Sequence, residues 1–169
     1  MVQGGLKKYD EKRDFSQTPE PHGLHTKHKS RAPIFVIQRH NASHLHYDLR
    51  LEIDGVLVSW ALPKDPPLVE GVKRLAIQTE DHPMAYASFE GTIPEGQYGA
   101  GTVEIWDHGT FESIKEKAGE GIDLGACLKN GQIEVYFSGN KITGPYALIR
   151  TNMAGTDKKQ WLFFKMKSN

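Results

Sequence analysis

The clearest structural pattern in the sequence is Leu45-His46-Tyr47-Asp48-Leu49-Arg50-Leu51-Glu52-Ile53-Asp54-Gly55-Val56-Leu57-Val58-Ser59-Trp60-Ala61-Leu62. Apolar and polar residues alternate strictly over residues 45–53, as they do in a β-strand with one buried face. An Asp-Gly pair between two such runs is typical of a tight two-residue hairpin turn. The stretch therefore predicts a β-hairpin whose aliphatic side chains face a core.

Other short runs of β-branched, aromatic and aliphatic residues predict further strands. They cover residues 34–37, 74–79, 101–106, 132–137, 146–150 and 161–166. Turn-forming residues separate several of them, at Asp107-His108-Gly109, Ser138-Gly139-Asn140 and Thr143-Gly144-Pro145. Short helices are expected over residues 113–118 and 124–129. About eight short strands predict a mainly β (all-β) fold, a small closed or partly open antiparallel β-barrel with one or two short helices.

The first 33 residues form a different kind of segment. They contain Gly4-Gly5, Pro19, Pro21 and Gly23 and no sustained apolar period, which predicts an N-terminal arm. Residues 34–169 are expected to form the β-barrel, and the whole chain has the usual size of one domain. No apolar run approaches the ~20 residues that span a bilayer, so a soluble cytoplasmic protein is expected. The absence of a heptad pattern favours a monomer.

Charge and cysteine content restrict the function classes. Lys plus Arg and Asp plus Glu number 21 each, so the formal net charge is zero and a bulk nucleic-acid coat protein is excluded. The layout is uneven: residues 1–33 carry about +3, residues 34–140 about −8 and residues 141–169 about +5. A central cation site with anion-binding ends explains this layout, and so does chance clustering. A single cysteine, Cys127, excludes a disulfide framework, so a metal would need imidazole and carboxylate ligands.

The polar face of the strand over residues 45–53 has unusual chemistry. Strand alternation places five side chains on it, namely His44, His46, Asp48, Arg50 and Glu52. His46 and Asp48 can converge on one cation, and His40 can fold back across the turn as a third ligand. Two His and one carboxylate suit Mn²⁺, Zn²⁺ or Fe²⁺ with open positions left for substrate or water. Arg50 adds a donor suited to a phosphate oxygen. The alternative is a polar strand face on which His and Asp only form hydrogen bonds with each other.

Motifs along most of the chain are similar to those of a known family. They are Arg13-Asp14-Phe15, Thr18-Pro19-Glu20-Pro21, the run from His40 to Arg50, Asp54-Gly55-Val56-Leu57, Ser59-Trp60-Ala61, Pro63-Lys64, Val72-Lys73-Arg74-Leu75-Ala76, Glu80-Asp81-His82-Pro83, Tyr86, Phe89-Glu90-Gly91 and Ile93-Pro94-Glu95-Gly96-Gln97-Tyr98-Gly99-Ala100-Gly101-Thr102-Val103. From about residue 9 to Lys167 the sequence resembles the 3′-phosphoesterase domain of bacterial ligase D, the polyfunctional end-joining ligase. No ligase or polymerase module accompanies it, so the free-standing form of the domain is expected.

The resemblance implies a β-barrel with an active-site groove and an activity that repairs 3′ ends of DNA or RNA at primer-template junctions. In that family a phosphodiesterase step removes a 3′-terminal ribonucleoside, and a phosphomonoesterase step then removes the 3′-phosphate to leave a 3′-OH for ligation. The implied ligands of Mn²⁺, with Co²⁺ or Zn²⁺ as alternative ions, are His40, His46 and Asp48. The implied catalytic residues are Arg13, Asp14, Glu20, Arg50 and His82, and the implied phosphate-binding residues are Arg50, Lys64, Arg74 and Tyr86. The arm then becomes a working part of the site.

Two other functions remain open from the sequence. His44-Leu45-His46 followed by Glu52 is a near match to the His-x-His and Glu pattern of cupin-like metal oxygenases and isomerases, although the spacing differs. The basic ends are also compatible with a nonenzymatic module that binds 3′ ends. For the phosphoesterase, a separate ligase or polymerase is the expected partner, and the nucleoid is the expected place of action.

Overall fold

Short antiparallel strands make up most of this computed structural model, which describes residues 4–23, 31–117, 120–121, 123–151 and 159–167. The strands are β1 (Ile34–Asn41), β2 (Leu45–Ile53), β3 (Val56–Leu62), β4 (Lys73–His82), β5 (Gly91–Ile93), β6 (Gly101–Ser113), β7 (Glu116–Lys117), β8 (Glu120–Gly121), β9 (Gln132–Gly139), β10 (Thr143–Arg150) and β11 (Gln160–Lys165). Two α-helices, α1 (Gly4–Glu11) and α2 (Leu124–Asn130), and a 3₁₀ helix over Met84–Ser88 complete the described elements.

Eight of the strands close into a barrel. They follow the order β1-β2-β3-β4-β11-β10-β9-β6, and β6 pairs back onto β1 to close the ring. All these pairings are antiparallel, and β5 adds to β6 as an extra strand. Closure leaves no free edge within the ring, which protects the strands from pairing with other chains. The expected all-β class and antiparallel barrel are confirmed.

The barrel interior is filled by large apolar side chains. Leu49, Leu51, Trp60, Phe137 and Trp161 are all completely buried there. The rings of Trp60 and Trp161 meet edge to face with centroids 5.4 Å apart, a favoured aromatic geometry. Strand alternation sends the intervening polar residues of β2 to the outer surface of the barrel.

A second layer covers that outer surface beside β1 and β2. Helix α1 and the 3₁₀ helix contribute Tyr9, Met84 and Tyr86 to an apolar cluster that is separate from the barrel core. Consequently β2 is buried on both faces, and its polar residues Asp48 and Arg50 are buried rather than exposed to solvent. This second layer turns a polar strand face into an enclosed site.

Three local predictions are wrong. Residues 113–118 are not helical, because β6 continues to Ser113 and Glu116–Lys117 forms β7; residue 118 lies outside the described residues. The predicted turn at Asp107-His108-Gly109 is instead part of β6. Gly109 is there because the backbone of β9 approaches closely: a Cβ at this position would lie 2.2 Å from the carbonyl oxygen of Ser138. Residues Thr143-Gly144-Pro145 likewise belong to a strand, β10.

Of the two α-helices, one was expected from the sequence and the other was not. Helix α2 is confirmed: the Asp123 side chain accepts a hydrogen bond from the Ala126 amide at its start, and Gly131, with φ of 80°, ends it. Helix α1 was not expected, because only Leu6 and Tyr9 anchor it and two apolar positions make no visible period. Within the described residues, neither α-helix has the length and apolar character needed to cross a membrane.

Candidate active site

The hairpin of β1 and β2 brings three potential metal ligands together. In the antiparallel register His40 lies opposite His46, and Gln38 lies opposite Asp48. One ligand atom from each of His40, His46 and Asp48 falls within 4.8 Å of the others. The Asp48 carboxylate lies 3.5 Å from Nδ1 of His40 and 3.4 Å from Nε2 of His46. The cluster therefore follows directly from hairpin register and strand alternation.

Backbone carbonyl groups set the tautomers of both imidazoles. Nε2 of His40 lies 2.7 Å from the carbonyl oxygen of Gly99, and Nδ1 of His46 lies 3.1 Å from that of His44. A carbonyl only accepts, so these nitrogens donate, and each neutral ring keeps its lone pair on the nitrogen that faces Asp48. Metal-binding histidines are typically oriented by this kind of second hydrogen bond. Gly99 has a φ of 78°, a left-handed conformation that favours glycine.

Electrostatics keep Asp48 ionised. Burial by itself raises the pKa of its carboxyl group, but the charge of Arg50 and the adjacent imidazoles of His40 and His46 outweigh burial, so that pKa lies well below its usual range. The nearby Asp48 carboxylate raises the pKa of His46. A proton on His46 thus occupies the position that a cation would take. A carboxylate and two imidazole nitrogens fit a divalent transition-metal ion with open coordination positions.

Arg50 is held rigidly beside this cluster. Only 3% of the residue is exposed, and its guanidinium donates to the Gln38 side chain at 2.7 Å and to the Ser59 hydroxyl at 2.9 Å. It also lies 3.5 Å from Asp48 and 4.8 Å from the ring centroid of Tyr86. Its two hydrogen-bond partners are neutral and Asp48 is the negative group beside it, so a phosphate in the pocket would share the guanidinium with that carboxylate.

The arm inserts a second guanidinium. Arg13 donates to the Glu20 carboxylate at 3.1 Å and lies 3.4 Å from Glu80. Glu20 also accepts the Tyr86 hydroxyl at 2.6 Å and the Thr18 hydroxyl at 2.9 Å. These contacts join residues of the arm to the 3₁₀ helix and to β4. The arm therefore forms one wall of the site.

His82, the last residue of β4, is neutral. Its Nδ1 donates to the Glu80 carbonyl at 3.0 Å, and its Nε2 lies 3.4 Å from an Arg13 nitrogen that can only donate. Burial and the positive charges of Arg50 and Arg13 place the pKa of His82 well below its ordinary value. The unprotonated Nε2 therefore faces the pocket as an acceptor.

These groups line a pocket of 280 Å³. Eight of the eleven residues proposed from the sequence line it, namely Arg13, Glu20, His40, His46, Asp48, Arg50, His82 and Tyr86. The other three do not. Asp14 is exposed and accepts hydrogen bonds from Ser16, which lower the pKa of its carboxyl group. Lys64 is exposed just after β3, and Arg74 donates to the backbone and side chain of Asp65.

Among the other lining residues, two have charged or aromatic side chains that sequence reasoning missed, Glu80 and Tyr98. The Glu80 carboxylate is buried and lies 3.0 Å from the Lys12 ammonium group. A signal for it existed: Glu80 is two residues before His82 on the same strand, so alternation places both on one face. Tyr98 lies in a Gly-rich loop, where no periodic pattern predicts which way its side chain points.

The cupin-like alternative finds no support in the geometry. It requires His44 and Glu52 to join His46, but the Glu52 carboxylate accepts from Arg31 at 3.1 Å and from the Ile34 amide at 3.0 Å. His44 is exposed and stands outside the ligand cluster.

The fold and the site together define a β-barrel with a candidate divalent-metal centre beside an arginine-lined pocket. Residues 38–150 match the family model described as the DNA ligase D 3′-phosphoesterase domain. The chain belongs to this family, as its motifs predicted.

Curated relatives agree with that match. The chain is 47% identical over 163 residues to the multifunctional non-homologous end joining protein LigD of Pseudomonas aeruginosa, covering 96% of this chain and 18% of the relative. It is 46% identical over 162 residues to the protein of the same name from Mycolicibacterium smegmatis, and 46% identical over 163 residues to the LigD DNA repair protein of Mycobacterium tuberculosis. Each of these two alignments covers 96% of this chain and 20% of the relative, so the chain spans about a fifth of these proteins.

Proposed function

We propose that this chain is a metal-dependent phosphoesterase that trims the 3′ ends of DNA or RNA during non-homologous end joining. It would remove a 3′-terminal ribonucleoside in a phosphodiesterase step and the 3′-phosphate in a phosphomonoesterase step, leaving a 3′-OH for ligation. Membership of the phosphoesterase family supports the hydrolase class. The names of the relatives support a place in end joining.

The observation that carries the proposal is the orientation of the His40 and His46 rings. Each directs a lone pair toward Asp48, and Arg50 lies within 3.5 Å of the same carboxylate. Phosphoester hydrolysis needs positive charge at the non-bridging oxygens and an activated water. A divalent ion at this cluster would supply that charge and acidify a neighbouring water. Nitrogen and oxygen donors suit Mn²⁺, and Co²⁺ or Zn²⁺ as well.

The charge of the pocket gives an independent reason for a cation. Two guanidinium groups, Arg13 and Arg50, are outnumbered by three carboxylates, Glu20, Asp48 and Glu80. Lys12 pairs with Glu80 at 3.0 Å, so the charges around the pocket about cancel and a terminal phosphate meets little net attraction. A bound divalent ion would make the pocket positive, so metal binding and substrate binding are expected to be coupled.

Each remaining residue has a proposed role. Arg50 and Arg13 bind phosphate oxygens. Because the phosphate neutralises their positive charge, that charge no longer lowers the pKa of His82, which then takes up or returns a proton at Nε2. Glu20 and Tyr86 hold Arg13 and Arg50 in position. Asp14, Lys64 and Arg74 lie outside the pocket lining and are proposed to contact parts of the substrate beyond it.

The organisation of the chain is also a proposal. Residues 1–33 would act as an arm that completes the site, and residues 34–169 as the phosphoesterase barrel. We further propose a monomer that works at primer-template junctions with a separate ligase or polymerase.

The test is release of a 3′-ribonucleoside, and then of phosphate, from an end-labelled primer in the presence of manganese. We expect His46→Ala to abolish both steps. His44→Ala is the matched control, because it changes the neighbouring exposed histidine and keeps the carbonyl that orients His46. Full activity of His46→Ala would contradict the metal assignment. A primer that is bound but unchanged after long incubation with manganese would favour the end-binding module.

A further inference from the structure

A second and larger cavity lies next to the pocket. Its volume is 570 Å³, and it shares the walls Thr79, Glu80 and Tyr98 with the smaller pocket. The proposed reaction consumes only the terminal group of a strand, so it leaves this second space without a role. A polymeric substrate whose end enters the first pocket must continue past a neighbouring surface.

The distinctive lining residues of this cavity are lysines. Lys8 lies in α1, Lys12 directly follows the last residue of that helix, and Lys159 comes from the segment just before β11. They belong to the two basic ends of the chain, which are far apart in sequence and meet here. Part of the basic charge of each end of the sequence therefore lies at one place beside the pocket.

Acidic groups in the cavity do not cancel this charge. Glu80 is already paired with Lys12 at 3.0 Å and with Arg13 at 3.4 Å. Burial and the charge of Glu80 raise the pKa of Asp81 to about 6, and the charge of Lys8 opposes that rise. Three lysines of the lining therefore face two carboxylates, Glu80 and Asp81.

Tyr98 lines both cavities and lies between them. It is 48% exposed, the Lys12 ammonium lies 4.7 Å from its ring centroid, and that ammonium donates to its hydroxyl at 3.4 Å. An exposed tyrosine beside lysines is a typical arrangement for contacting a nucleic-acid strand, with phosphates on the cations and a base or sugar against the ring.

We propose that this second cavity binds the phosphodiester backbone of the strand just upstream of its reacting 3′ end, through Lys8, Lys12 and Lys159, with Tyr98 separating the terminal unit from the preceding one. The proposal rests on the proposed function, since it places the rest of the same substrate. It predicts that recognition extends beyond the terminal phosphate and depends on salt.

The experiment compares two double variants of the full chain with the same loss of charge. Lys8→Gln with Lys159→Gln alters the cavity, whereas Lys7→Gln with Lys129→Gln alters exposed lysines that do not line it. Binding of a short single-stranded DNA that ends in a 3′-hydroxyl, and therefore places no terminal phosphate in the first pocket, is measured by fluorescence anisotropy in a chelator, which prevents metal-dependent turnover. We expect the cavity variant to bind roughly tenfold more weakly and its log–log salt slope to fall by about 1.4, while the control variant stays close to the unmodified chain.

Hydrolysis separates this proposal from the proposed function. With manganese, the cavity variant should show a raised KM and an unchanged kcat on the oligonucleotide, and unchanged turnover of a nucleoside 3′-monophosphate, which has no upstream backbone. Weaker oligonucleotide binding by the cavity variant supports the cavity assignment even if no hydrolysis is seen. Three results would overturn the assignment: no measurable binding by the unmodified chain, equal losses in both variants, or equally effective competition by polyglutamate.

Discussion

Two buried aspartates in this barrel have opposite surroundings. Asp107, 2% exposed, accepts four backbone N–H groups at 2.7–2.9 Å, from His108, Asn140, Lys141 and Ile142. Asp48, 7% exposed, has two imidazole nitrogens and one guanidinium nitrogen at 3.4–3.5 Å. The oxygens of Asp107 therefore accept four short hydrogen bonds, whereas those of Asp48 have only longer contacts.

The difference separates a structural carboxylate from a candidate metal ligand. Four short hydrogen bonds satisfy the charge of Asp107 and fix the turn between β9 and β10, so no further group can approach those oxygens. The contacts of Asp48 exceed ordinary hydrogen-bond lengths, and two of them come from nitrogens whose lone pairs face it. A cation placed among these atoms would satisfy all three groups at once.

The largest expected effect is that of Asp48→Asn, which removes a ligand charge but keeps the shape. We expect a loss of more than about 100-fold in metal affinity and in manganese-dependent phosphate release, because losing a direct ligand should exceed the 10–100-fold cost of losing a supporting group. Calorimetric metal titration and a phosphate assay measure it. Asp107→Asn is the matched control and should keep near-normal metal affinity. Equal losses of metal affinity in both variants would contradict the assignment of Asp48 as the ligand and Asp107 as a structural residue.

The complementary change, Asp107→Ala, should act on stability. Four N–H groups lose their acceptor, so we expect the free energy of unfolding to fall by about 3 kcal/mol. For a chain of this size the Tm then falls by roughly 6–12 °C. Thermal unfolding followed by circular dichroism checks this, and metal affinity measured well below the Tm should be retained. An unchanged Tm would mean that the turn between β9 and β10 does not depend on Asp107.

Metal should stabilise the native protein through Asp48 and not through Asp107. At a free Mn²⁺ concentration of about 100 times the Kd, binding adds about 2.7 kcal/mol, or roughly 5–11 °C in Tm. Thermal unfolding with manganese and with a chelator measures the difference. The shift should vanish in Asp48→Asn and persist in Asp107→Asn; a shift of equal size in both would indicate a metal site elsewhere.

The smallest expected effect is the pH dependence of metal affinity. Because Asp48 raises the pKa of His46, the cation-free protein gains stability from this proton below the unfolded pKa of about 6.5 and loses it as pH rises through the raised value. A cation must displace the proton, so its affinity should fall about tenfold per pH unit below the raised pKa. Metal titrations from about pH 8 to pH 5.5 test this, and a flat profile would argue against His46 as a ligand.

Local pattern predicted some parts of this molecule well. The alternation over β2 and the Asp-Gly turn yielded the hairpin with correct ends, because alternation and turn geometry depend only on neighbouring residues. The same local rules placed His46 and Asp48 on one face and His40 across the turn. Asp107-His108-Gly109 was misread because an Asp-x-Gly sequence is typical of a turn, whereas here Asp107 stabilises a different turn, 33–35 residues away.

Local sequence pattern was enough to predict the barrel class, the hairpin and the composition of the candidate ligand cluster, since strand periodicity and hairpin register are short-range properties of the backbone. Tertiary packing was needed to bring Arg13 to Glu80 and His82, 67 and 69 residues away. It also brings lysines from both basic ends to one cavity. It gives Asp107 four short hydrogen bonds, whereas Asp48 has only longer contacts. These outcomes depend on barrel closure and on the packing of the arm, which bring together residues that are too far apart in the sequence for a local periodic pattern to link them.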